Sequence, residues 1–211
     1  MNTTAISTAP AAETRASGLP LTENELTENE LKQARQLLEQ TQNAVVGATR
    51  GLSAAQWKFK PQADRWSIAE NLEHLVTVQE RILGPVLGQL AQAPAPPADR
   101  DCALIDAIVI HQFPTRLAKF QAPEVVHPAG QFDPRVALEI LRANYVRLLD
   151  RLETTPGLRA HVLPSPPLKA VSNGAYDVMD GYQWILACAA HDERHAKQML
   201  EVKAGPNFPE D

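Results

Sequence analysis

The chain of 211 residues is long enough for one domain with a hydrophobic core, since apolar residues make up 44% of it. Its net charge of −5, without a run of lysine or arginine, argues against a nucleic-acid partner, because proteins that bind nucleic acid normally carry a basic patch. Two cysteines, Cys102 and Cys188, are too few for a disulfide framework, and no apolar stretch is long enough for a membrane span.

The N-terminal residues 1–22 are rich in alanine, threonine, serine and proline and offer little apolar surface to bury. Such a composition predicts a flexible tail, because burial cannot offset the entropy lost on ordering. The same stretch has neither the basic start nor the apolar run of a signal peptide, so we expect a cytoplasmic protein with no membrane partner. The folded domain is expected over residues 23–205.

The first predicted helix covers about residues 23–51 and ends near Gly51. Within it, apolar and small residues recur in alternating steps of three and four, which places them on one helix face. This stripe consists of Leu31, Ala34, Leu38, Thr41, Val45, Ala48 and Leu52. One side of the helix is therefore expected to face a core.

The second predicted helix covers about residues 67–92. Ser67 is a good N-cap and Glu70 follows three residues later, which is the pattern of a capping box. The apolar stripe of this helix consists of Ile68, Leu72, Leu75, Gln79, Ile82, Val86 and Leu90. The segment "QAPAPPADR" ends the helix, because proline lacks the amide hydrogen and clashes with the preceding turn.

The secondary structure of residues 101–132 is less clearly indicated by the sequence. The stretch "DCALIDAIVIHQF" is compatible with a short helix or a strand, and we favour a helix of one to three turns. The stretch "QAPEVVHPAGQF" is expected to be a loop, because it contains two prolines and a glycine. The third long helix is predicted at about residues 134–154, where Asp133 caps it and Pro134 takes the first helical position.

The last predicted helix covers about residues 179–203, after a proline-rich loop that crosses over, and either Asp177 or Asp180 caps it. Four long helices with no strand pattern predict an all-α fold. We therefore expect a four-helix up-down bundle with one longer crossover and a short extra helix.

The last helix carries two histidines, His191 and His195, four residues apart. This spacing places both imidazoles on one helix face, here inside the apolar stripe that contains Trp184 and Met199. Buried imidazoles need polar partners, because an unsatisfied buried polar group costs about 1–3 kcal/mol. A shared metal ion is one such partner, and the hydrogen bonds of ordinary core histidines are the alternative. The zinc-peptidase pattern His-Glu-x-x-His is not present, since Asp192 follows His191.

A metal site would need a third ligand, and four further histidines are available. His74 flanks the main stripe of the second helix, and it can still face the bundle interior because each helix touches two neighbours. His111 lies in the ambiguous short helix, and His127 and His161 lie in proline-rich loops, where a solvated imidazole is the simplest expectation. By geometry alone His74 is a plausible third ligand, but helix periodicity does not decide the choice.

Two motifs, in this order along the chain, resemble the DinB-like (YfiT-like) family of metalloenzymes. The stretch "DRWSIAENLEHL" is similar to the family's Trp-Ser/Thr-x-x-Glu-x-x-x-His, and "WILACAAHDERHAKQM" is similar to its His-x-x-x-His on the last helix. The resemblance covers about residues 30–203, and the N-terminal tail departs from it. It implies a four-helix bundle in which His74, His191 and His195 bind a divalent metal ion, usually zinc or nickel.

Three histidine ligands leave a coordination position open, which is typical of catalytic rather than structural sites. Through the resemblance, this position would hold a water or a substrate thiolate. The chain would then be a metal-dependent hydrolase or a low-molecular-weight thiol transferase that acts on a small molecule. The alternatives are a non-catalytic metal or ligand binder and a dimerising helical bundle, so a second copy of the chain, in a homodimer, is a further candidate partner.

Charged residues close to the histidines in sequence are candidates for orienting the imidazoles. They are Glu70 and Glu73, which precede His74, and Asp192 and Arg194 on the last helix. For each of them, a solvated charge on a helix surface is the simpler expectation.

Cys188, one turn before the histidine pair, is either a fourth ligand or, as we favour, a small core residue. Trp66, Trp184 and Tyr182 either line a pocket or pack in the core. Aromatic residues at such spacing usually pack in the core.

Overall fold

The computed structural model describes residues 24–115 and 122–210, so the predicted tail over residues 1–22 lies outside the described residues. Two short strands, β1 (Val162–Pro164) and β2 (Val178–Asp180), pair antiparallel. The helices are α1 (Glu28–Thr49), α2 (Ala54–Lys58), α3 (Ile68–Val78), α4 (Gly84–Gln89), α5 (Cys102–Gln112), α6 (Pro134–Thr154), α7 (Pro166–Val171) and α8 (Gly181–Lys203).

The long helices form the predicted four-helix bundle. Helix α1 packs along α8, and α3 packs against both α6 and α8, while α6 also contacts α1. Helix α5 is the predicted short extra helix, and it packs on α8. The all-α bundle expected from the sequence is thus confirmed. Within the described residues, no helix combines the length and the apolar character needed to cross a bilayer.

Capping side chains set where the bundle helices begin. Thr27 and Glu30 form a reciprocal capping box, so α1 begins immediately after Thr27 and not near residue 23. The box predicted for Ser67 and Glu70 is present at the start of α3. Asp133 caps α6, which has the predicted bounds. Local side-chain chemistry therefore accounts for these helix starts.

A π-helical turn, Gln79–Leu83, interrupts the second long helix after α3. A π turn inserts one extra residue into the helical ladder, so the side chains that follow directly move to a new face. The predicted stripe positions Ile82 and Val86 are only half-buried as a result. The buried residues are instead Leu83, the last residue of the turn, and Leu87 and Leu90 beyond it. The sequence stripe is thus correct up to Gln79 and displaced by one residue at the next two positions.

The crossover between α6 and α8 contains the small antiparallel sheet, whereas the sequence predicts only a proline-rich loop there. Leu163 lies opposite Met179 in this two-stranded ladder. Residues 178–180 are therefore extended, and α8 begins at Gly181 instead of near residue 179. Asp180, the second of the two predicted caps, accepts the hydrogen bond from Gln183 N. Pairing between distant segments decides this structure, which a local pattern does not reveal.

Gly181 lies at the first position of α8, in close contact with the crossover. Its amide donates to the Leu158 carbonyl oxygen at 2.7 Å. A Cβ built on Gly181 would overlap the Leu90 side chain and would lie 2.8 Å from Leu158 Cδ2. Only glycine therefore fits here without displacing its neighbours.

We expect Gly181→Ala to destabilise the protein by about 1–3 kcal/mol, because a methyl group at this position overpacks the core. The matched control is Gly88→Ala in α4, where a Cβ would have no neighbour within 4 Å. Alanine at Gly88 is expected to stabilise the helix by up to about 1 kcal/mol. Urea denaturation of both variants measures the difference, and equal effects would contradict the close packing at Gly181.

Candidate metal centre

Three imidazoles converge between α3 and α8. His74 comes from α3, and His191 and His195 lie one turn apart on α8. One ring nitrogen from each histidine lies within 4.8 Å of the other two, and His74 Nε2 lies 3.3 Å from His191 Nε2. The structure therefore brings together the three histidines that the sequence motifs indicate.

His74 faces inward because α3 is covered on nearly all sides. Helices α6 and α8 pack on α3, and a short 3-10 turn, Glu124–Val126, covers it from another direction. The His74 side chain is consequently only 3% exposed, although it lies beside the apolar stripe of its helix. This long-range covering makes the flank of α3 part of the interior.

The hydrogen bond of His74 fixes its protonation pattern. Its Nδ1 lies 2.8 Å from the carbonyl oxygen of Val126, which can only accept a hydrogen bond. Nδ1 of the neutral ring therefore carries the proton, and Nε2 is left with a free lone pair. That lone pair is directed towards the other two histidines.

Asn71 fixes His195 in the same way. The Oδ1 atom of Asn71 lies 2.8 Å from His195 Nδ1, and its Nδ2 donates to the Ser67 carbonyl oxygen at 2.9 Å. Because the Ser67 carbonyl can only accept, the carboxamide orientation is determined and Oδ1 must face the imidazole. His195 therefore donates through Nδ1, and its Nε2 is the nitrogen available as a ligand.

The donor set fits a divalent metal ion. Imidazole nitrogens bind zinc at about 2.0–2.1 Å, so two of them in a tetrahedral site lie about 3.3–3.4 Å apart. The separation of 3.3 Å between His74 Nε2 and His191 Nε2 agrees with this value. In the metal-free protein, the same separation allows His191 Nε2 to donate to His74 Nε2. Imidazole donors suit zinc, nickel and copper better than calcium or magnesium.

Burial keeps the imidazoles of His74 and His191 neutral. It lowers the pKa of His191 to about 3, with the nearby rings and charges of His74 and Arg194 acting in the same direction. Burial also lowers the pKa of His74, although the hydrogen bond to Val126 opposes the shift. Metal binding requires neutral imidazole, so both groups are in the ligating state at neutral pH.

Trp66 forms one wall of the cluster. Its ring centroid lies 4.8 Å from that of His74, and it stacks nearly parallel to His195 with centroids 6.1 Å apart. The ring of His127 lies nearly perpendicular to that of Trp66, with centroids 6.2 Å apart. A surface pocket adjoins this wall, and it is lined by Asp64, Arg65, Trp66, Asn71, Gln198 and Val202. The histidine cluster thus lies beside a pocket with a largely polar lining.

The charged candidates lie around the cluster with different partners. Glu70 accepts from Ser67 N in the cap of α3 and from Lys60 Nζ at 2.8 Å. Both carboxylate oxygens of Asp192 accept from Gln79 Nε2, at 3.1 and 2.9 Å. Arg194 donates to a backbone carbonyl at the end of α5 and lowers the pKa of His191 through its charge.

The burial of the remaining candidates shows which of them lie in the hydrophobic core and which at the site. Cys188 packs in the hydrophobic core, where burial raises its thiol pKa well above the ordinary range. Trp184 and Tyr182 lie in the same core cluster, so of the three aromatic candidates only Trp66 lines the site. His111 is exposed on α5.

The two loop histidines differ in their surroundings. The Nδ1 atom of His161 lies 2.6 Å from the Ala93 carbonyl oxygen. His127 is exposed, as expected for a loop, yet its ring meets the wall of the histidine cluster at Trp66.

Two groups that orient the imidazoles were missed by sequence reasoning. Asn71 precedes His74 by three residues, so both lie on one line of α3, and this shared line is the only local signal for it. The Val126 group is a backbone carbonyl, for which the side-chain sequence offers no signal. Both contacts depend on how distant segments pack against one another.

A helical bundle with a cluster of three histidines, two of them buried and one half-buried, is the class that fold and site define. Its sequence matches the model of the DinB superfamily over residues 37–199, and the chain belongs to this family. It is 26% identical over 166 residues to YuaE of Bacillus subtilis strain 168, an uncharacterised protein, with 73% of this chain and 87% of YuaE covered.

The fold is also similar to that of YfiT from Bacillus subtilis. The TM-score is 0.55 with 12% sequence identity, and the match covers 87% of this chain and 91% of YfiT. YfiT is described as "a probable metal-dependent hydrolase with an unusual four-helix bundle topology". At this identity, the likeness establishes the shared fold alone.

Proposed function

We propose that this protein is a metal-dependent hydrolase of a small molecule, and that His74, His191 and His195 bind its divalent ion, zinc or nickel. The observation that carries the proposal is the convergence of three imidazoles, with two Nε2 atoms 3.3 Å apart. The description of YfiT as a metal-dependent hydrolase supports it, because the two proteins share a fold.

Three protein ligands are the usual number in hydrolytic zinc sites, since one position must stay open for the reaction. Within the described residues, these histidines are the one group of metal-binding side chains of this size. When bound, a divalent ion supplies Lewis acidity, which polarises a substrate carbonyl and lowers the pKa of water to about 7. This chemistry is what hydrolysis at neutral pH requires.

The chain's own residues position and shield the reacting groups in this proposal. Asn71 and Val126 hold two imidazoles so that their Nε2 atoms face the ion. Trp66 covers the cluster on one side and presents its ring to the substrate, which we place in the adjoining pocket. The polar lining of that pocket favours a small polar substrate. The charge of Arg194 close to His191 favours a transition state that develops negative charge.

Elemental analysis of freshly purified full-length protein tests the proposal. We expect about one zinc or nickel ion per chain, and hydrolysis of an ester or amide panel that is lost with a chelator and restored by the ion. Protein that neither carries a metal nor binds added zinc at micromolar concentration would overturn the proposal. Metal binding without turnover would instead support the non-catalytic binder.

A second arm of the assay measures transfer of a low-molecular-weight thiol to an electrophile, because an open position on three imidazoles accepts a thiolate as well as water. Thiol transfer in place of hydrolysis would retain the metal site and replace the reaction class. The homodimer and the cytoplasmic location stay predictions from the sequence.

A further inference from the structure

We propose that Glu73 is a positioning residue of the metal site and acts through a loop without touching the imidazoles. Its carboxylate anchors residues 126–131, and this loop presents the Val126 carbonyl to His74. The inference deepens the proposed function, because it rests on His74 being a metal ligand.

Glu73 is almost entirely buried, with 4% of its surface exposed. Its carboxylate accepts three backbone hydrogen bonds from consecutive residues. Oε1 accepts from Ala129 N at 2.9 Å and Gln131 N at 3.0 Å, and Oε2 accepts from Gly130 N at 2.9 Å. Hydrogen bonds to an ionised acceptor are about twice as strong as neutral ones, so this is a firm anchor for an otherwise irregular segment.

The anchored segment also holds His74. Val126 is 1% exposed, and its carbonyl oxygen accepts from His74 Nδ1 at 2.8 Å. Only His127 and Pro128 separate Val126 from the first residue bound by Glu73, and proline restricts the backbone there. The carbonyl therefore cannot move far while the carboxylate holds the loop.

Glu73 and His74 are adjacent on α3, and successive helical side chains point about 100° apart. Glu73 thus accepts hydrogen bonds from the loop backbone, and His74 donates one to the Val126 carbonyl of the same loop. The helix, the loop and the imidazole are therefore joined in a closed ring of contacts. This ring fixes the proton on Nδ1 and aims Nε2 at the other histidines. Partners of this kind typically change metal affinity by about 10–100-fold when they are removed.

Glu73→Gln tests the inference, because an amide group would face backbone N–H donors with a donor of its own. We expect zinc affinity of the full-length protein, measured by competition with a chromophoric chelator, to fall by about 10–100-fold. The visible spectrum of the cobalt-loaded variant is expected to change, since the geometry of one ligand is altered. If Glu73→Gln does not fold, Glu73→Asp is the second variant, because it keeps the charge on a shorter side chain. It should lower the zinc affinity by an intermediate amount.

Glu70→Gln is the matched control, because Glu70 lies on the same helix and contacts Ser67 and Lys60 instead of the loop. Glutamine also suits the third position of a capping box, so zinc affinity should stay within about twofold of the parent. If Glu73→Gln lowers the unfolding midpoint but leaves zinc affinity and the cobalt spectrum unchanged, Glu73 is only structural and the inference is wrong.

Nitrogen-15 NMR of the imidazoles in metal-free protein separates this inference from the proposed function. We expect His74 to be protonated on Nδ1 in the parent and to lose this preference in Glu73→Gln. If the parent binds no zinc but the preference changes, the proposed function fails while the positioning of His74 by Glu73 stands. If the parent binds zinc and Glu73→Gln changes neither the zinc affinity nor the protonation preference of His74, only the inference fails.

Discussion

His191→Ala is expected to abolish stoichiometric metal binding. A structural zinc ion contributes about 10–16 kcal/mol through four ligands, so one imidazole accounts for about 3 kcal/mol. This corresponds to at least a hundredfold loss of affinity. Because His191 Nε2 lies 3.3 Å from His74 Nε2, its loss removes one half of the best-defined ligand pair. Elemental analysis and a zinc titration of the purified variant measure the effect.

His111→Ala is the matched control for this variant. His111 is exposed on α5 and is not part of the cluster, so its loss should leave both metal content and affinity unchanged. Circular dichroism checks that both variants fold. If His191→Ala bound zinc within threefold of the parent, the three histidines would be ordinary core residues and the hydrolase proposal would fail.

The histidine pair on α8 could be predicted from the sequence because its geometry is local. A spacing of four residues on any helix places His191 and His195 on one face, and the apolar residues around them indicate which way that face points. The start of α3 could be predicted for the same reason, since Ser67 and Glu70 interact only with their own helix end. These features need no knowledge of the rest of the fold.

The inward direction of His74 could not be derived from its own helix. In the apolar pattern of α3 it lies on a flank, and it becomes interior because α6, α8 and residues 124–126 all pack against α3. The family resemblance points to His74, and the structure places it beside His191 and His195, whereas periodicity alone leaves its direction open. Asn71 was missed for a related reason, because its partner, His195, lies on a different helix.

The π turn at Gln79–Leu83 could not be predicted from the sequence pattern either, and it lies close to the site. Gln79 is the first residue of this turn, and its side-chain amide donates to Asp192, the residue after His191, and accepts from Asn144 Nδ2 on α6 at 3.1 Å. A helix irregularity of this kind is often found at functional sites. Through these contacts Gln79 links the second long helix to α8, next to His191, and to α6.

A buried ion cluster at the start of α8 explains why the crossover is held in place. Arg159 binds Asp106 Oδ2 at 2.6 Å and Asp180 Oδ2 at 2.9 Å, and it also pairs with Glu30. Its guanidinium carbon lies 4.5 Å from the centre of the Tyr182 ring. One arginine thus joins α1, α5 and the end of β2 through three carboxylates.

Arg159→Ala is expected to destabilise the protein by about 3–5 kcal/mol, because it leaves the buried Asp106 carboxylate without its cationic partner, although Asp180 keeps its ion pair with Arg100. The loss in free energy of unfolding, relative to the parent, should be smaller at pH 5 than at pH 8. Burial already raises the pKa of Asp106, and Arg159 opposes this shift in the parent. Without the arginine the folded state binds the proton on Asp106 more tightly than the parent does, so the variant gains stability relative to the parent as the pH falls. Urea denaturation at both pH values measures the deficit.

Arg35→Ala is the matched control for this arginine. Its ion pair with Glu153 is 3.0 Å long, but the two side chains are 50% and 48% exposed, so its loss should cost less than about 1 kcal/mol. Equal effects of the two variants would contradict the role of Arg159.

Asp180 precedes His191 by a distance of about 16 Å along α8. The folded fraction of Arg159→Ala should therefore keep the parent's zinc affinity, because the cluster secures the crossover and the histidines are held independently by Asn71 and Val126.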